Sequence, residues 1–508
     1  MNKRSIILLA FVIGKIAFQY FLISPDYDLQ RDEYLHLDQG HHLAWGYLSV
    51  PPFTSWVSYI IFLLGGSVFW VKFFPALFGA LTLVIVWKAI EELNGNLFAL
   101  MLGAACIFFS SLLRLNILYQ PNSFDVLCWT ALYFILIKYI SSEKPKWLFA
   151  GSLVFAFGFL NKYNIAFLFI GLLPALSLTK NRKIFLKKDF YLAAALGLLL
   201  IAPNLLWQYN NNFPVVHHMK QLAALQLVNN DRLEFLITQL LFFLGALFVI
   251  VAGFYGLLFH KPFKKYRLLS LSIVFTLAAF LYFKAKSYYA IGLYPIYISF
   301  GAVMLGELLK DGRRKYWQPV ALAVPVIVFI PLYRMGFPNQ SPEFIISHPE
   351  RYETLGKPKW EDGQEHALPQ DYADMIGWKE LALKVDSVAA TLPDLNHTLI
   401  LADNYGQAGA INYYTTNPMV TASSFNADYI NWLPLDEEIK DAILVKEEDD
   451  DDPDRTTERL LFDTVYRAAQ RINPLAREPK ISIYVLRGAK TDIRPRIKEE
   501  RDRKLKWE

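Results

Sequence analysis

"DLQRDEYLHLDQGHHLAWGYLSVPPF", residues 28–53, is a polar stretch that lies between two apolar segments of the chain. Three carboxylates and three histidines lie between residues 32 and 42 of this stretch, namely Asp32, Glu33, Asp38, His36, His41 and His42. Read as a helix that begins at Asp32, the stretch places Asp32 and His36 on one stripe. Such a loop can simply be solvated, or it can build a site. The rest of the chain decides between the two interpretations.

The composition predicts a membrane protein. Of the 508 residues 54% are apolar and 16% aromatic, and the mean hydropathy is +0.26, which is high for a soluble protein of this size. The stretch 54–66 is short and is predicted to lie on the membrane surface. Apolar runs of spanning length predict about eleven transmembrane helices, near residues 5–23, 68–90, 97–113, 123–141, 147–161, 163–179, 190–207, 235–259, 268–284, 288–309 and 317–334.

The lysines and arginines alternate between loops in a way that predicts the topology. They concentrate in loops such as 180–189 and 261–267 and are sparse in the loops between them, so the positive-inside rule places the N-terminus and 180–189 in the cytoplasm. Loops 24–53 and 114–122 and everything after residue 334 are then outside. No small-residue cleavage site follows the first run, which is therefore predicted to be a retained span. The two cysteines lie in apolar runs and indicate neither a disulfide framework nor a metal site.

The last part of the chain changes character. "EHALPQDYADMIGWKELALKV" (365–385) predicts an amphipathic helix, "HTLILADNYGQAGAINYY" (397–414) a strand that leads into a helix, and "ISIYVLRG" (481–488) a final strand. We therefore expect a transmembrane domain over 1–334 and a soluble α/β domain over 335–508. The acidic run 447–452 lacks the glycine turn of a calcium loop and is predicted to be a solvated loop.

The second outer loop, "RLNILYQPNSFDVLCW" (114–129), places polar side chains at the mouth of the third and fourth spans. Asp125 stands at the start of an apolar helix, where an unpaired carboxylate is costly. It is either an N-terminal cap for that helix or a functional acid.

These stretches together resemble the bacterial membrane glycosyltransferases of family 39. The resemblance rests on "RDEYLHLDQGHHLAWGYLSVPPF", "LYQPNSFDVLCWTALYFILIKYI", "FLNKYNIAFLFIGLL", "KAKSYYAIGLYPIYISFGA" and "ADNYGQAGAINYY". This family is related to the dolichyl-phosphate-mannose protein mannosyltransferases and the lipid A aminoarabinose transferases. It implies a GT-C glycosyltransferase fold in the bacterial cytoplasmic membrane and a polyprenyl-phosphate sugar donor. The acceptor would be a lipid, a glycan or a protein, and an inverting active site would face outward.

The resemblance also implies roles for particular acids. The acidic pair of the family falls on Asp32 and Glu33, with Asp32 as general base, and its second outer-loop acid falls on Asp125. One departure is Val50, where the aminoarabinose branch is expected to carry a lysine that binds the donor phosphate. The absence of that lysine argues against a lipid A assignment.

The chemistry itself asks for similar residues. Sugar transfer to a hydroxyl requires a carboxylate to take the proton and cations or a metal ion to stabilise the leaving phosphate. We expect Arg114, Lys286, Tyr288 and Lys162 to bind that phosphate, although "KSYY" (286–289) is also typical of an interfacial anchor. Asp32, Glu33 and His36 are candidate ligands for a divalent metal ion, but their spacing matches no compact zinc motif. Lys15, in the first span, has no assigned role.

Two other classes of function fit a chain with many spans. A secondary transporter would typically carry charges near the membrane midplane, whereas here the charges gather in outer loops. A non-enzymatic protein of envelope polysaccharide assembly would not depend on Asp32. No nucleotide-binding glycine motif occurs, and no nucleic-acid partner is expected.

Overall fold

The computed structural model describes residues 2–352, 358–448, 452 and 454–505. Its membrane part is helical, and the chain order of the helices is α1 Lys3–Gln19, α2 Arg31–Gln39, α3 Phe53–Leu63, α4 Val68–Glu92, α5 Leu97–Phe108, α6 Leu112–Asn116, α7 Asn122–Ser142, α8 Lys146–Asn161, α9 Ala166–Ser177, α10 Lys188–Asn210, α11 Pro214–Leu225, α12 Arg232–Leu241, α13 Leu247–Phe259, α14 Leu268–Tyr282, α15 Tyr294–Leu308 and α16 Trp317–Met335. Short 3₁₀ segments join several of them, at Tyr163–Ile165, Lys180–Leu186, Leu227–Asn229, Leu244–Ala246, Lys261–Tyr266, Ser287–Leu293 and Gly312–Tyr316.

Five helical segments of the described residues are long and apolar enough to cross a membrane by themselves, or up to seven if two bent pairs each form one span. The predicted span 235–259 is one of the bent pairs, because α12 and α13 meet at 63°. The predicted span 163–179 belongs to the other pair, which bends by 106° before Lys180–Leu186. A helical membrane protein is thus confirmed, and the number of about eleven spans stays a prediction.

The stretch predicted to lie on the membrane surface is a short helix. α3 has 11 residues and is about 16 Å long at the helical rise per residue, whereas the hydrocarbon core is about 30 Å thick. Its Thr54, Ser55 and Ser58 are buried while Leu63 is exposed. The Ser58 hydroxyl donates to the carbonyl oxygen of His36 at 2.6 Å. Helix α3 therefore packs against α2.

The core of the membrane part lies between α4, α5, α7, α13 and α15. Trp87, Trp129, Tyr133 and Tyr297 are almost completely buried there. α13 and α15 approach closely at Gly301, where a Cβ atom would overlap the carbonyl oxygen of Val249. Small residues commonly allow such close approach between membrane helices.

The C-terminal part is an α/β domain, as predicted. Its five-stranded sheet has the order β2-β1-β3-β5-β4. β1, β2 and β3 are parallel, and β5 is antiparallel to both β3 and β4. The strands are β1 Thr398–Ala402, β2 Ala422–Ser424, β3 Asp441–Glu447, β4 Phe462–Ile472 and β5 Lys480–Ala489. The helices are α17 Pro342–Ser347, α18 Pro349–Tyr352, α19 Gln370–Ala373, α20 Trp378–Ala389, α21 Tyr405–Tyr414, α22 Thr456–Leu461 and α23 Arg494–Leu505, with 3₁₀ segments at Leu395–His397 and Ala427–Asn431.

The predicted helix over 365–385 was too long. The chain turns at Gly377, whose φ of +83° favours glycine, and only α20 continues the amphipathic pattern. The carboxylate of Asp28 accepts hydrogen bonds from the backbone N–H groups of Trp378 and Lys379, at 2.8 and 3.1 Å. An acid from the membrane part therefore caps a helix of the C-terminal domain.

The two parts share a hydrophobic core. Leu29, Tyr34 and Leu35 of the first outer loop belong to the same buried cluster as Trp378 and Ile411 of the C-terminal domain. The boundary at residue 334 stays a prediction, and side chains from the two sides of it pack together.

Candidate active site

Helix α2 presents Asp32 and buries its neighbours. The Gln30 side chain caps the helix by accepting from the Asp32 backbone N–H at 2.8 Å. The Glu33 carboxylate in turn accepts from the Gln30 backbone N–H at 2.7 Å. This is a capping box, which explains why the helix begins at Arg31. Residues from Glu33 to Gln39 are buried, while Asp32 keeps part of its surface accessible. Asp32 is thus the acid of the predicted pair that a substrate can reach.

Two side chains from distant parts of the sequence hold the Asp32 carboxylate. The Tyr405 hydroxyl donates to Oδ1 at 2.7 Å, and Gln120 Nε2 donates to Oδ2 at 3.0 Å. Each carboxylate oxygen can accept more than one hydrogen bond. The carboxylate is therefore oriented and still able to accept a proton from a further hydroxyl group.

A series of hydrogen bonds leads from Asp32 to a lysine. Asn122 Nδ2 donates to Gln120 Oε1 at 2.9 Å, and Lys162 Nζ donates to Asn122 Oδ1 at 2.7 Å. We call these four residues, Asp32, Gln120, Asn122 and Lys162, the Asp32–Lys162 chain. It joins the first outer loop, the start of α7 and the end of α8, so an acid and a cation are held at a set separation.

Lys162 lies against two tyrosines. Its Nζ is 4.4 Å from the ring centre of Tyr289 and 5.1 Å from that of Tyr288, in the range of cation–π contacts. Burial lowers the pKa of Lys162 to about 8, nearby Asp125 opposes this effect, and Lys286 adds to it. Asp32 is within electrostatic range of the Tyr288 hydroxyl. The structure therefore brings Asp32, Lys162, Tyr288 and Lys286 into one neighbourhood.

Asp125 and Lys286 complete this neighbourhood but are already engaged. Asp125 is buried and accepts from Trp129 Nε1 at 3.0 Å and from Asn164 Nδ2 at 2.9 Å. It does not cap α7, since that helix has no side-chain cap. Lys286 Nζ donates to Glu361 of the C-terminal part at 2.6 Å.

Glu33 is surrounded by hydrogen-bond donors that connect neighbouring elements of the fold. Its carboxylate is fully buried and accepts from Lys72 Nζ at 2.8 Å on both oxygens. The Tyr119 N–H donates to it at 2.6 Å, in addition to the Gln30 N–H. A carboxylate with this many donors is saturated, so Glu33 ties α2 to α4 and to the second outer loop.

The candidate metal ligands do not form a common site. Asp32 faces Tyr405 and Gln120, Glu33 faces Lys72, and His36 Nδ1 lies 3.1 Å from Gln39 Oε1. Over the ranges that the structure describes, no group of three or more His, Cys, Asp or Glu side chains is placed to hold a metal ion.

Arg114 lies in another cluster. Its guanidinium donates to Asp371 at 2.9 Å and to the Tyr372 hydroxyl at 3.3 Å, and it also contacts the carbonyl oxygen of Gly336. These partners all belong to the first segment of the C-terminal part, between residues 336 and 372. Arg114 thus joins the second outer loop to that segment, and it is not part of the Asp32–Lys162 chain.

The other polar residues of the first outer loop contact the C-terminal domain. Asp38 accepts from the Tyr429 hydroxyl at 2.6 Å and from Asn412 Nδ2 at 2.8 Å. Gln39 Nε2 donates to Asp428 at 2.8 Å. Asp28, Asp38 and Gln39 therefore serve an interface between the two parts of the chain, whereas Glu33 is engaged within the membrane part.

Gln120, Asn122 and Tyr405 are residues of the site that had no predicted role. Gln120 was recognised only as a polar residue at the mouth of a span, and Tyr405 only as part of the distal motif "ADNYGQAGAINYY". Tyr405 lies 373 positions after Asp32. No local pattern in the sequence indicates that pairing.

The acidic run 447–452 is only partly described. Glu447 was predicted to be solvated, but it accepts from Asn404 Nδ2 at 2.6 Å. Glu448 pairs with Lys480 at 3.1 Å. Residues 449–451 lie outside the described residues.

Comparisons with known proteins agree with the fold. Residues 49–207 match the model of the family described as dolichyl-phosphate-mannose-protein mannosyltransferase. The matched range includes Gln120, Asn122, Asp125 and Lys162 but not Asp32. A search of the curated proteins gave no significant match.

The structure is similar to that of ArnT from Cupriavidus metallidurans bound to undecaprenyl phosphate, with a TM-score of 0.59 and 12% identity over 95% of this chain and 97% of that chain. The apo state of the same protein gives a TM-score of 0.59 and 11% identity, with the same coverage. These values establish a common fold over nearly the whole of both chains. The predicted resemblance is therefore confirmed at the level of the fold: residues 49–207 resemble the dolichyl-phosphate-mannose-protein mannosyltransferases, and the chain has the GT-C fold that it shares with ArnT.

Proposed function

We propose that this protein is a glycosyltransferase that moves a sugar from a polyprenyl-phosphate donor to a hydroxyl group, with Asp32 as general base. The observation that carries the proposal is the Asp32–Lys162 chain, which holds a partly accessible carboxylate and a cation in one neighbourhood. The family match over 49–207 and the similarity to a structure that holds undecaprenyl phosphate support this class of donor.

The reaction requires one bond to form while another breaks. The oxygen of the acceptor hydroxyl attacks the anomeric carbon, the bond from that carbon to the phosphate oxygen breaks, and Asp32 takes the hydroxyl proton. Attack from the face opposite the phosphate inverts the anomeric configuration. The polyprenyl phosphate leaves with the electron pair of the broken bond.

The leaving phosphate gains negative charge in the transition state, and cations that are held ready lower the cost of that charge. We assign this role to Lys162, with Lys286 and Tyr288 beside it. Lys162 is fixed by Asn122 and by the two tyrosine rings, so little reorganisation is needed. Lys286 would exchange its contact with Glu361 for a phosphate oxygen.

The direction of the site follows from the predicted topology. The first outer loop, the start of α7 and the C-terminal domain meet at Asp32, and the charge pattern of the loops assigns all three to the outer face. The donor would therefore be used on the outer side of the cytoplasmic membrane.

Asp32→Asn tests the proposed base with a matched control. Asn keeps the shape of Asp but does not accept the proton, so transfer should fall by about 10²–10⁴. The donor probes are undecaprenyl phosphate mannose and undecaprenyl phosphate aminoarabinose. Envelope extracted from a strain that lacks the gene serves as acceptor. Asp38→Asn, on the same helix, keeps an oxygen for Tyr429 and Asn412 and should leave the rate near that of the wild type.

Two results would contradict the proposal. Near-normal transfer by Asp32→Asn would remove Asp32 from its role. An unchanged mass spectrum of surface lipids, glycans and proteins in the deletion strain would remove the glycosyltransferase function itself. A transporter or an assembly protein would transfer no sugar from either donor probe.

A further inference from the structure

Tyr405 is the first residue of α21 and is supplied by the C-terminal domain. Its hydroxyl donates to Asp32 Oδ1 at 2.7 Å, and the Arg31 guanidinium lies 4.5 Å from the centre of its ring. Burial and the neighbouring carboxylate of Asp32 raise the pKa of Tyr405. The hydroxyl therefore keeps its proton and remains a donor.

The backbone of Tyr405 is fixed by a buried polar network. Asn404 caps α21 by accepting from the N–H groups of Gly406 and Gln407 at 2.9 and 3.1 Å. The amide nitrogen of Asn404 donates to Glu447 at 2.6 Å and to Glu478 at 2.9 Å. The start of α21 is thus tied to the sheet of the C-terminal domain.

α21 also lies unusually close to α2. A Cβ atom on Gly406 would come within 2.6 Å of the Arg31 side chain, and one on Gly409 would come within 2.6 Å of the Cβ atom of Tyr34. Glycine at both positions lets the two helices approach. This approach places the Tyr405 hydroxyl within hydrogen-bond distance of Asp32.

We propose that Tyr405 is a positioning residue for Asp32, through which the C-terminal domain completes the active site. This inference rests on the proposed role of Asp32 as base. The Tyr405 hydroxyl holds Oδ1, and Gln120 holds Oδ2 from the opposite part of the chain. The plane of the carboxylate is set by these two donors, one from each part.

Tyr405→Phe removes the hydroxyl and keeps the ring under Arg31. A donor to a carboxylate stabilises its charged form, so without it Asp32 should protonate at higher pH. The acidic limb of the pH–rate profile should move up by about one pH unit, and transfer below the limb should fall about tenfold. A purely structural role would lower the rate equally at every pH.

The matched control is Tyr414→Phe. Tyr414 lies on the same helix and its hydroxyl meets the same loop, accepting from the Leu29 N–H and from the Tyr34 hydroxyl, both at 3.4 Å. This variant loses a hydroxyl at the same interface and leaves both hydrogen bonds to the Asp32 carboxylate in place. Its pH profile should match that of the wild type.

A second measurement does not depend on turnover. The infrared band of the protonated Asp32 carboxyl group, assigned by its loss in Asp32→Asn, should appear at higher pH in Tyr405→Phe than in the wild type. An unchanged pH profile and an unchanged band in Tyr405→Phe would overturn the inference and leave the proposed function intact. Retained transfer in Asp32→Asn would instead overturn the proposed base, and the inference with it.

Discussion

At the scale of single residues, Asp32 and Glu33 are adjacent carboxylates whose different burial and partners give them different roles. Glu33 points into the protein and is saturated by Lys72 and by two backbone N–H groups. Asp32 points towards Gln120 and Tyr405 and stays partly accessible. Removing one partner of a buried ion pair is strongly destabilising, so the role of Glu33 is to hold α2 in place.

Lys162 gives the residue-scale prediction. Because burial lowers its pKa to about 8, its charge should be lost as the pH rises through that value. We expect kcat/KM for the donor to fall above about pH 8. In Lys162→Arg this fall at alkaline pH should disappear, since arginine stays charged. Lys162→Met should weaken binding of the polyprenyl phosphate group at pH 7 by about tenfold or more, as measured by equilibrium binding of undecaprenyl phosphate.

Lys138→Met is the control for Lys162. Lys138 also lies over an aromatic ring, 5.2 Å from the centre of Trp147, and it pairs with Glu92 at 2.6 Å. It lies at the other end of α7 and should not change donor affinity. Equal affinities in Lys162→Met and the wild type would exclude Lys162 as a phosphate ligand.

At the scale of elements, the contact between α2 and α21 joins the membrane part to the C-terminal domain. Tyr34 of α2 lies against Tyr413 and Tyr414 of α21, with ring centres 5.9 and 5.8 Å apart. Asp28 caps α20, and Asp38 binds Asn412 of α21. The polar and aromatic residues of the first outer loop therefore position the domain that carries Tyr405.

Gly409→Ala tests this contact. The added methyl group would lie 2.6 Å from the Cβ atom of Tyr34 and 2.6 Å from the Tyr429 hydroxyl oxygen. Overpacking of this kind costs about 1–3 kcal/mol, and α21 must move away from α2. We expect sugar transfer to fall at least as far as in Tyr405→Phe, together with a lower unfolding temperature in detergent.

Gly151→Ala is the matched control, because its added methyl group would meet Ile135 at 3.5 Å, an ordinary contact. Its rate and unfolding temperature should be close to those of the wild type. If Gly409→Ala behaves like Gly151→Ala, the close approach of α2 and α21 has no role in transfer.

At the scale of the whole molecule, the chain is a helical membrane part and an α/β domain that share one buried cluster. Their interface contains acids whose burial is costly. Burial raises the pKa of Asp374 to about 7, opposed by Arg477, although Asp374 also accepts from Gln30 Nε2 at 3.3 Å. An interface with such partners indicates a fixed arrangement of the two parts.

The topology gives the whole-molecule prediction. Ser387 in the C-terminal domain and Arg313 in a basic loop are both exposed, and the charge pattern of the loops places them on opposite sides of the membrane. In intact spheroplasts Ser387→Cys should react with an impermeant thiol reagent, and Arg313→Cys should react only after lysis. The native Cys106 and Cys128 are buried and should not react with the reagent. The reverse pattern would place the site in the cytoplasm.

The sequence alone determined the class of architecture and the neighbourhood of the site. Hydropathy and strand and helix periodicity act over short distances, so the apolar helices, the strand and helix around 398–414 and the final strand could be predicted. The length of helix 365–385 and the bend within the predicted span 235–259 could not. Both depend on contacts made elsewhere in the fold.

Only the tertiary structure decided which polar residues meet. Asp32, Glu33 and Asp38 are chemically alike, and sequence patterns do not show that Asp32 faces Tyr405, Glu33 faces Lys72 and Asp38 faces Tyr429. Likewise Arg114 carries the charge expected of a phosphate ligand, yet it is engaged with Asp371. The physical reason is that a side chain's role depends on burial and on partners tens to hundreds of positions away, which packing alone brings together.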